Sequence, residues 1–374
     1  MEKKIKIPNL RFPEFKVEWK EKYLGKTCVI KTGNRDTQNR ISNGLYPFYV
    51  RSNTVERINS FSYDGEAILT SGDGVGVGKN FHYVNGKFDY HQRVYCLQQF
   101  EKDYSGSFIY HVFAEKFNKR VMRLSAKNSV DSVRMDMISQ MSISFPSLEE
   151  QQKIASFLTA VDEKINLLQK KKQGLEQYKK GVMQQLFSQK LRFKKEDGSD
   201  YPDWEEKKLE KISKITIGEF VIKTKQNPKA MYPVYNGGKS YTGFYDDYNS
   251  DGDKIIISAR GANAGFVNYE QGKFWAGNSC YSIDIIDKHT NNVQYMFYFI
   301  KFRQHMFTDY QQAANIPSVS KKDVQIFKIF CPEIQEQTEI ANFLNAIDNK
   351  IDIINSQLEN TQYFKKGLLQ QMFV

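Results

Sequence analysis

The stretch EQQKIASFLTAVDEKI begins at Glu150, and EQTEIANFLNAIDNKI begins at Glu336. The offset of 186 positions holds without a gap from Pro146 and Pro332 to Phe187 and Phe373, and 17 of these 42 positions are identical. Identities include Ile154/Ile340, Ala155/Ala341, Phe157/Phe343, Leu158/Leu344, Asp162/Asp348, Lys164/Lys350 and the paired KKG at 179 and 365. A helix that only fills a core tolerates many sequences of similar pattern, so two near-copies imply two matching tasks.

The repeat reaches past these segments. LRF at 10–12 returns at 191–193, and Trp19 matches Trp204. YPFY at 46–49 meets YPVY at 232–235, and NGKFDYHQRVYCL (85–97) meets QGKFWAGNSCYSI (271–283). The chain is therefore two copies of one unit, a globular part followed by a long helix. The globular parts have diverged and the helices have not. EAILTSG (66–72) and KIIISARG (254–261) predict buried strands ended by glycine. SFIYHVFAEKF (107–117) and VQYMFYFIKFRQHMF (293–307) predict helices. The fold class is α/β: two β-rich α/β domains related by internal duplication and separated by two long antiparallel coiled-coil helices. The expected boundaries are 1–145, 146–189 for the central helix, 190–331, and 332–374 for the second helix.

Counting heptads from Ile154 places Ile154, Val161, Leu168, Leu175 and Val182 at a, with Leu158, Ile165, Lys172, Lys179 and Leu186 at d. In the second copy Ile340, Ile347, Ile354, Thr361 and Leu368 fall at a, with Leu344, Ile351, Leu358, Lys365 and Met372 at d. Eight of ten seam positions are apolar in each helix, a coiled-coil pattern that weakens near Lys179 and Lys365. Gly181 and Gly367 stand in matching places although an interior glycine costs ~1 kcal/mol against alanine, so close helix approach or a bend is expected there. A helix of about 38 residues would form a rod of roughly 57 Å. Two such rods side by side could hold two readers on one face of a duplex that repeats every ~34–36 Å. The chain stops right after the second helix, so no tail is expected to close a ring of the two halves.

Lys and Arg number 54 against 43 Asp and Glu, a net charge of +11 with a pI near 9.1, which favours a polyanionic partner such as nucleic acid. Cys28, Cys96, Cys280 and Cys331 lie far apart without a CxxC pair, and read as free thiols of a reducing cytosol. No apolar run approaches the ~20 residues of a membrane span, and MEKKIKIPNL has no apolar core of a signal peptide.

No catalytic motif emerges. SGDGVGVGKN (71–80) has Asp73 where a P-loop needs glycine and Asn80 where it needs Ser or Thr. Histidines 82, 91, 111, 289 and 305 lack metal spacing, no GxSxG occurs, and NPKA (227–230) falls short of an amino-methyltransferase loop. Base edges are read by Arg, Lys, Asn, Gln, Ser and Thr on polar loops at strand ends. In the first unit the candidates for DNA contact are Arg35, Arg51, Asn53, Ser71, Asp73, Lys79, His91, Gln92 and Arg93. In the second they are Asn236, Lys239, Ser258, Arg260, Asn263, Asn278, Gln311 and Gln312. Arg93 faces Ser279 in the repeat and Asp73 faces Arg260, as expected of units reading different bases.

PSLEEQQKIASFLTAVDEKI, its echo PEIQEQTEIANFLNAIDNKI, the endings KKGVMQQLF and KKGLLQQMF, and RGANAG with IPSVSKKDV resemble the specificity (S) subunit of type I restriction–modification enzymes. The resemblance covers the whole chain and is looser in the globular parts. It implies a non-catalytic, cytoplasmic DNA-binding subunit with two target-recognition domains, each reading half of a split double-stranded target. Its helices would set the spacing and dock two methyltransferase subunits. Those partners would bind S-adenosylmethionine and methylate adenine, and restriction motor-nuclease subunits would add cleavage driven by ATP and Mg. This chain would bind no cofactor or metal. The residues alone leave two other classes open: a self-contained methyltransferase or nuclease, and a tandem scaffold.

Overall fold

The computed structural model describes residues 7–124, 132–308 and 317–373. The chain divides into two compact units, Met1–Lys170 with Ser356–Val374, and Lys171–Asn355. Each unit holds one globular part, the first part of one long helix and the last part of the other.

The first unit contains β1 (Lys20–Tyr23), β2 (Val29–Thr32), β3 (Tyr46–Tyr49), β4 (Val55–Ile58), β5 (Tyr63–Ser71), β6 (Phe81–Tyr90) and β7 (Val94–Gln98). Helices α1 (Gly106–Leu124) and α2 (Met135–Ser139), strand β8 (Ser142–Phe145) and the start of α3 (Leu148–Phe187) follow. Six strands form a sheet in the order β2-β7-β5-β6-β3-β4, antiparallel except for the β3–β6 pair, while β1 pairs with β8. The central strand β5 is buried over its last five residues, which is why EAILTS carries no polar alternation. Phe108, Phe113 and Phe117 of α1 are fully buried, each worth about 1.5–3 kcal/mol on removal from water.

The second unit contains β9 (Glu205–Lys208), α4 (Leu209–Ile212), β10 (Ser213–Ile217), β11 (Tyr232–Tyr235), β12 (Gly243–Tyr245), β13 (Lys254–Ser258) and β14 (Val267–Glu270). After these come β15 (Trp275–Ala276), β16 (Cys280–Ile285), α5 (Val293–Phe302), α6 (Lys321–Gln325), β17 (Lys328–Cys331) and the start of α7 (Ile334–Met372). The order β10-β16-β13-β14 repeats β2-β7-β5-β6, and β12-β11-β15 repeats β4-β3-β6. The copy extends to register: Phe48 pairs with Asp89 and Tyr49 with Tyr90, as Val234 pairs with Trp275 and Tyr235 with Ala276. One strand differs. The ten-residue β6 is divided in the second copy into β14 and β15. A turn in which the Gly272 N–H donates to Glu270 Oε1 at 3.0 Å ends β14.

Within each unit the long helices pair through their apolar seams. In the first, Ile154, Leu158, Val161 and Ile165 join one core with Leu368, Met372 and Phe373, and Leu358 packs against it. In the second, Val182 and Leu186 share a core with Ile340, Leu344, Ile347 and Ile351, with Leu175 alongside. Leu168 and Ile354 are buried as well. Two seam lysines are ion-paired from one helix to the other: Lys365 with Asp162, and Lys179 with Asp348. Seventeen residues further along α3 the partner on α7 lies seventeen residues earlier, so the helices run antiparallel. Gly181 and Gly367 correct the expectation of close approach, because a Cβ built on either meets no atom within 4 Å.

The repeated LRF segment anchors both units. Arg11 grips the buried Glu150 carboxylate with two hydrogen bonds of 2.7 Å, and Arg192 grips Glu336 at 3.1 and 2.7 Å. The Leu191 N–H donates to the Gln185 carbonyl at 3.2 Å, and the Leu10 N–H to the Gln371 carbonyl at 3.0 Å. Gln185 and Gln371 are repeat partners. The segment around Leu10 thus takes, against the end of α7, the place that the chain takes directly after α3 in the second copy.

Candidate nucleic-acid interface

Two glycines fix the frame of each loop cluster. A Cβ on Gly33 would lie 2.0 Å from the Tyr90 carbonyl oxygen, and one on Gly218 would lie 2.2 Å from that of Ala276. Only glycine allows this approach. It brings Arg35 into a parallel bridge with His91 in the first unit and Glu219 into one with Gly277 in the second.

In the first unit Arg35, Arg51, Asp73, His91, Gln92 and Arg93 come together where β3, β5 and β6 end. Arg51 Nη1 donates to Asp73 Oδ1 at 3.2 Å, and Arg93 Nε stands 3.8 Å from Asp73 Oδ2. Arg35 Nε donates to the buried Asp89 carboxylate at 3.2 Å, which also accepts from Ser60 Oγ at 2.7 Å. His91 lies beneath this surface, where burial and then the nearby Arg51 charge push its pKa down. Its Nδ1 accepts the Arg93 N–H at 2.9 Å, which places the proton of the neutral ring on Nε2, 3.7 Å from Asp36 Oδ2. Gln92 Nε2 reaches the same carboxylate oxygen at 3.4 Å. Ser71 is buried and accepts from Asn80 Nδ2, so with His91 it holds the loops from below instead of facing outward. Asn53 and Lys79 are exposed at the rim.

The second unit builds the same frame with other side chains. Asn236 Oδ1 accepts the Ser279 N–H at 3.2 Å, and Asn263 Nδ2 donates to the Gly237 carbonyl at 3.5 Å. Ser258 is fully buried and donates from Oγ to the Gly238 carbonyl at 2.9 Å, so it too acts as a prop. Asn278 is half-buried, and Lys239 and Arg260 are exposed. The Arg260 guanidinium makes no hydrogen bond or ion pair with a described residue. Backbone bridges of Asp73 to Ser132 and of Arg260 to Ser318 show that these two residues occupy equivalent places. Gln311 and Gln312 lie outside the described residues.

A further polar set, not singled out in the sequence, ties each globular part to both helices. Tyr298 O–H lies 2.6 Å from Asp348 Oδ2 and 2.7 Å from Asn345 Oδ1, and Lys179 donates to both Asp348 oxygens. In the first unit His111 stands at the corresponding place, 4.0 Å from Asp162 and 3.4 Å from Thr159 Oγ1, with Lys365 on Asp162 at 2.5 Å. Burial pushes the His111 pKa down to about 4, outweighing Asp162, because Lys365 already neutralises that carboxylate. Gln151 and Gln337 make a second copied set: each amide donates to the proline carbonyl before its helix and accepts a backbone N–H at the start of α1 or α5. The identical EQ of both repeats was the available signal. Among the described residues no group of three or more His, Cys, Asp or Glu is placed to hold a metal ion, and no helix is long and apolar enough to cross a membrane.

A duplicated β-rich scaffold that keeps its register while exchanging Asp for Arg at the loop tips defines a two-part recognition protein. The chain belongs to the family described as type I restriction modification DNA specificity domain, which matches residues 16–177 and 201–361. It is a type I specificity subunit with two target-recognition domains, the non-catalytic member of its system. It is 28% identical over 270 residues to a putative type I restriction enzyme MjaX specificity subunit of Methanocaldococcus jannaschii, a match over 67% of this chain and 63% of that relative. It is 22% identical to the type I restriction enzyme EcoDI specificity subunit of Escherichia coli over 95% of this chain and 87% of that one. The crystal structure of a type I restriction–modification S subunit from M. genitalium superposes with a TM-score of 0.78, at 18% identity, over 98% of this chain and 99% of that one. That likeness speaks for the fold.

Proposed function

We propose that each globular unit binds one half of a split double-stranded DNA sequence and that the paired helices fix the distance between the halves. The helices also dock methyltransferase subunits, two per chain because the docking surface is duplicated. S-adenosylmethionine is bound by those subunits, and ATP and Mg by restriction motor-nuclease subunits, in the cytoplasm. The observation that carries this reading is the exchange at equivalent loop tips: Arg51, Asp73 and Arg93 stand where Gly237, Arg260 and Ser279 stand in an otherwise copied frame. Divergence at outward polar tips is what two readers of different sequences require. The net charge of +11 supplies the sequence-independent attraction to phosphate.

Selection from a pool of randomised duplexes, using the chain co-purified with its methyltransferase, tests this. The bound duplexes should share two fixed segments a constant distance apart, with affinity falling steeply as salt rises. A single uninterrupted segment, or binding indifferent to salt, would contradict it.

A further inference from the structure

A carboxylate at the tip of a DNA-facing loop is costly wherever that loop meets the phosphate backbone, because like charges repel. Asp73 is nonetheless placed there, its side chain 23% exposed, between Arg51 at 3.2 Å and Arg93 at 3.8 Å. Both arginines leave the backbone at fixed points. The Arg51 carbonyl accepts from Asn80 Nδ2 at 3.0 Å, and the Arg93 carbonyl accepts the Gly72 N–H at 2.8 Å. The Arg93 N–H is held by His91. A guanidinium has five donors, and the pairing with Asp73 leaves most of them unused on each side chain. Ion pairing also restrains two long side chains before any ligand arrives, which lowers the ordering cost of a directional contact and does little for a diffuse phosphate contact.

We infer that Asp73 is a positioning residue that holds Arg51 and Arg93 as a donor fork for a guanine in the first half of the target. Guanine offers the adjacent N7 and O6 acceptors such a fork matches in the major groove. The inference rests on the DNA reading proposed above. The second unit has no counterpart of the trio: Gly237, Arg260 and Ser279 supply one cation and no carboxylate. The two halves of the target are therefore read by different devices from the same positions.

The test uses the full chain with its methyltransferase subunits, and maps methylated sites for the wild type and for Asp73→Asn, Arg51→Ala, Arg93→Ala and Arg260→Ala. Each of the first three variants should relax one G·C position of the first half, discrimination there falling roughly ten- to a hundredfold, and leave the second half unchanged. Arg260→Ala should alter the second half alone. An even decline at all sites with both half-sequences intact would mean phosphate contact and overturns the proposal. A wild type that methylates no split sequence overturns the underlying reading as well. Should an alanine variant lose all methylation, Arg51→Lys and Arg93→Lys decide, since lysine keeps the charge without the fork. Relaxation at the same G·C position supports the proposal, and an unchanged first half overturns it.

Discussion

Lys179 donates to both carboxylate oxygens of Asp348, at 2.6 and 2.7 Å, from a seam position where a coiled coil ordinarily carries an apolar side chain. Its repeat partner Lys365 pairs with Asp162 through Oδ1 at 2.5 Å. The pairs break the apolar pattern at matching points, and each sits beside a side chain from the globular part, Tyr298 or His111. Polar groups inside a seam fix helix register at a cost in stability.

Asp348→Ala leaves Lys179 facing the seam unpaired. It should cost about 1–2 kcal/mol, between an exposed pair and a buried one, since the two side chains are 22% and 34% exposed. Lys179→Met should be close to neutral, because it restores an apolar seam residue. Thermal unfolding of both variants checks this, and equal losses would contradict it.

Gly181 and Gly367 each have open space where a Cβ would project. Gly181→Ala and Gly367→Ala should each stabilise the chain by about 0.5–1 kcal/mol through helix propensity and unfolded-state entropy. Denaturant titration reads the change. A loss of stability would show that something other than open solvent is served by these glycines.

Glu150 and Glu336 are fully buried acids, each held by one arginine. Arg11→Ala or Arg192→Ala should destabilise its own unit by about 3–5 kcal/mol, since an unpaired charge is left inside. Hydrogen exchange should localise the damage to the unit whose arginine is missing. A loss below 1 kcal/mol would mean that the acid finds another partner.

His111 is 3% exposed in its side chain, and burial lowers its pKa to about 4. Asp162, Lys365, Thr159 and Tyr110 face it. Between the unfolded value near 6.5 and about 4, the unfolded chain binds more protons than the folded one. This contribution is complete above pH 6.5 and drains away as pH falls through that window, by up to ~3 kcal/mol. His111→Tyr, which copies Tyr298, should flatten the loss between pH 6.5 and 4 in urea titrations. An unaltered pH profile would remove the assigned cause.

The duplication, the long helices and their seam were legible because offset and heptad are linear in sequence. Asp162 and Asp348 stood out as identities, yet the lysine of Asp348 lies 169 positions away and that of Asp162 lies further still, at 365. Antiparallel pairing turns that separation into contact, and no local pattern reports it. The same holds for Arg11 and Glu150, 139 residues apart, although LRF and EQ were both visible repeats. The break of β6 into β14 and β15 was hidden because KFDY and KFWA align without a gap. Among the loop candidates, residue type could not separate Ser71, Ser258 and His91, which prop the loops from beneath, from Arg51, Arg93 and Arg260 at the tips. Burial separates them, and burial is a property of the packed strand ends.

Two recognition units are proposed to read two half-sequences at one fixed separation. Mapping methylated adenines across the genome of cells that express this chain with its methyltransferase tests it most directly. The expected result is one split sequence with two constant halves and a gap of invariant length. Methylation at an uninterrupted sequence, or gaps of varying length, would contradict it.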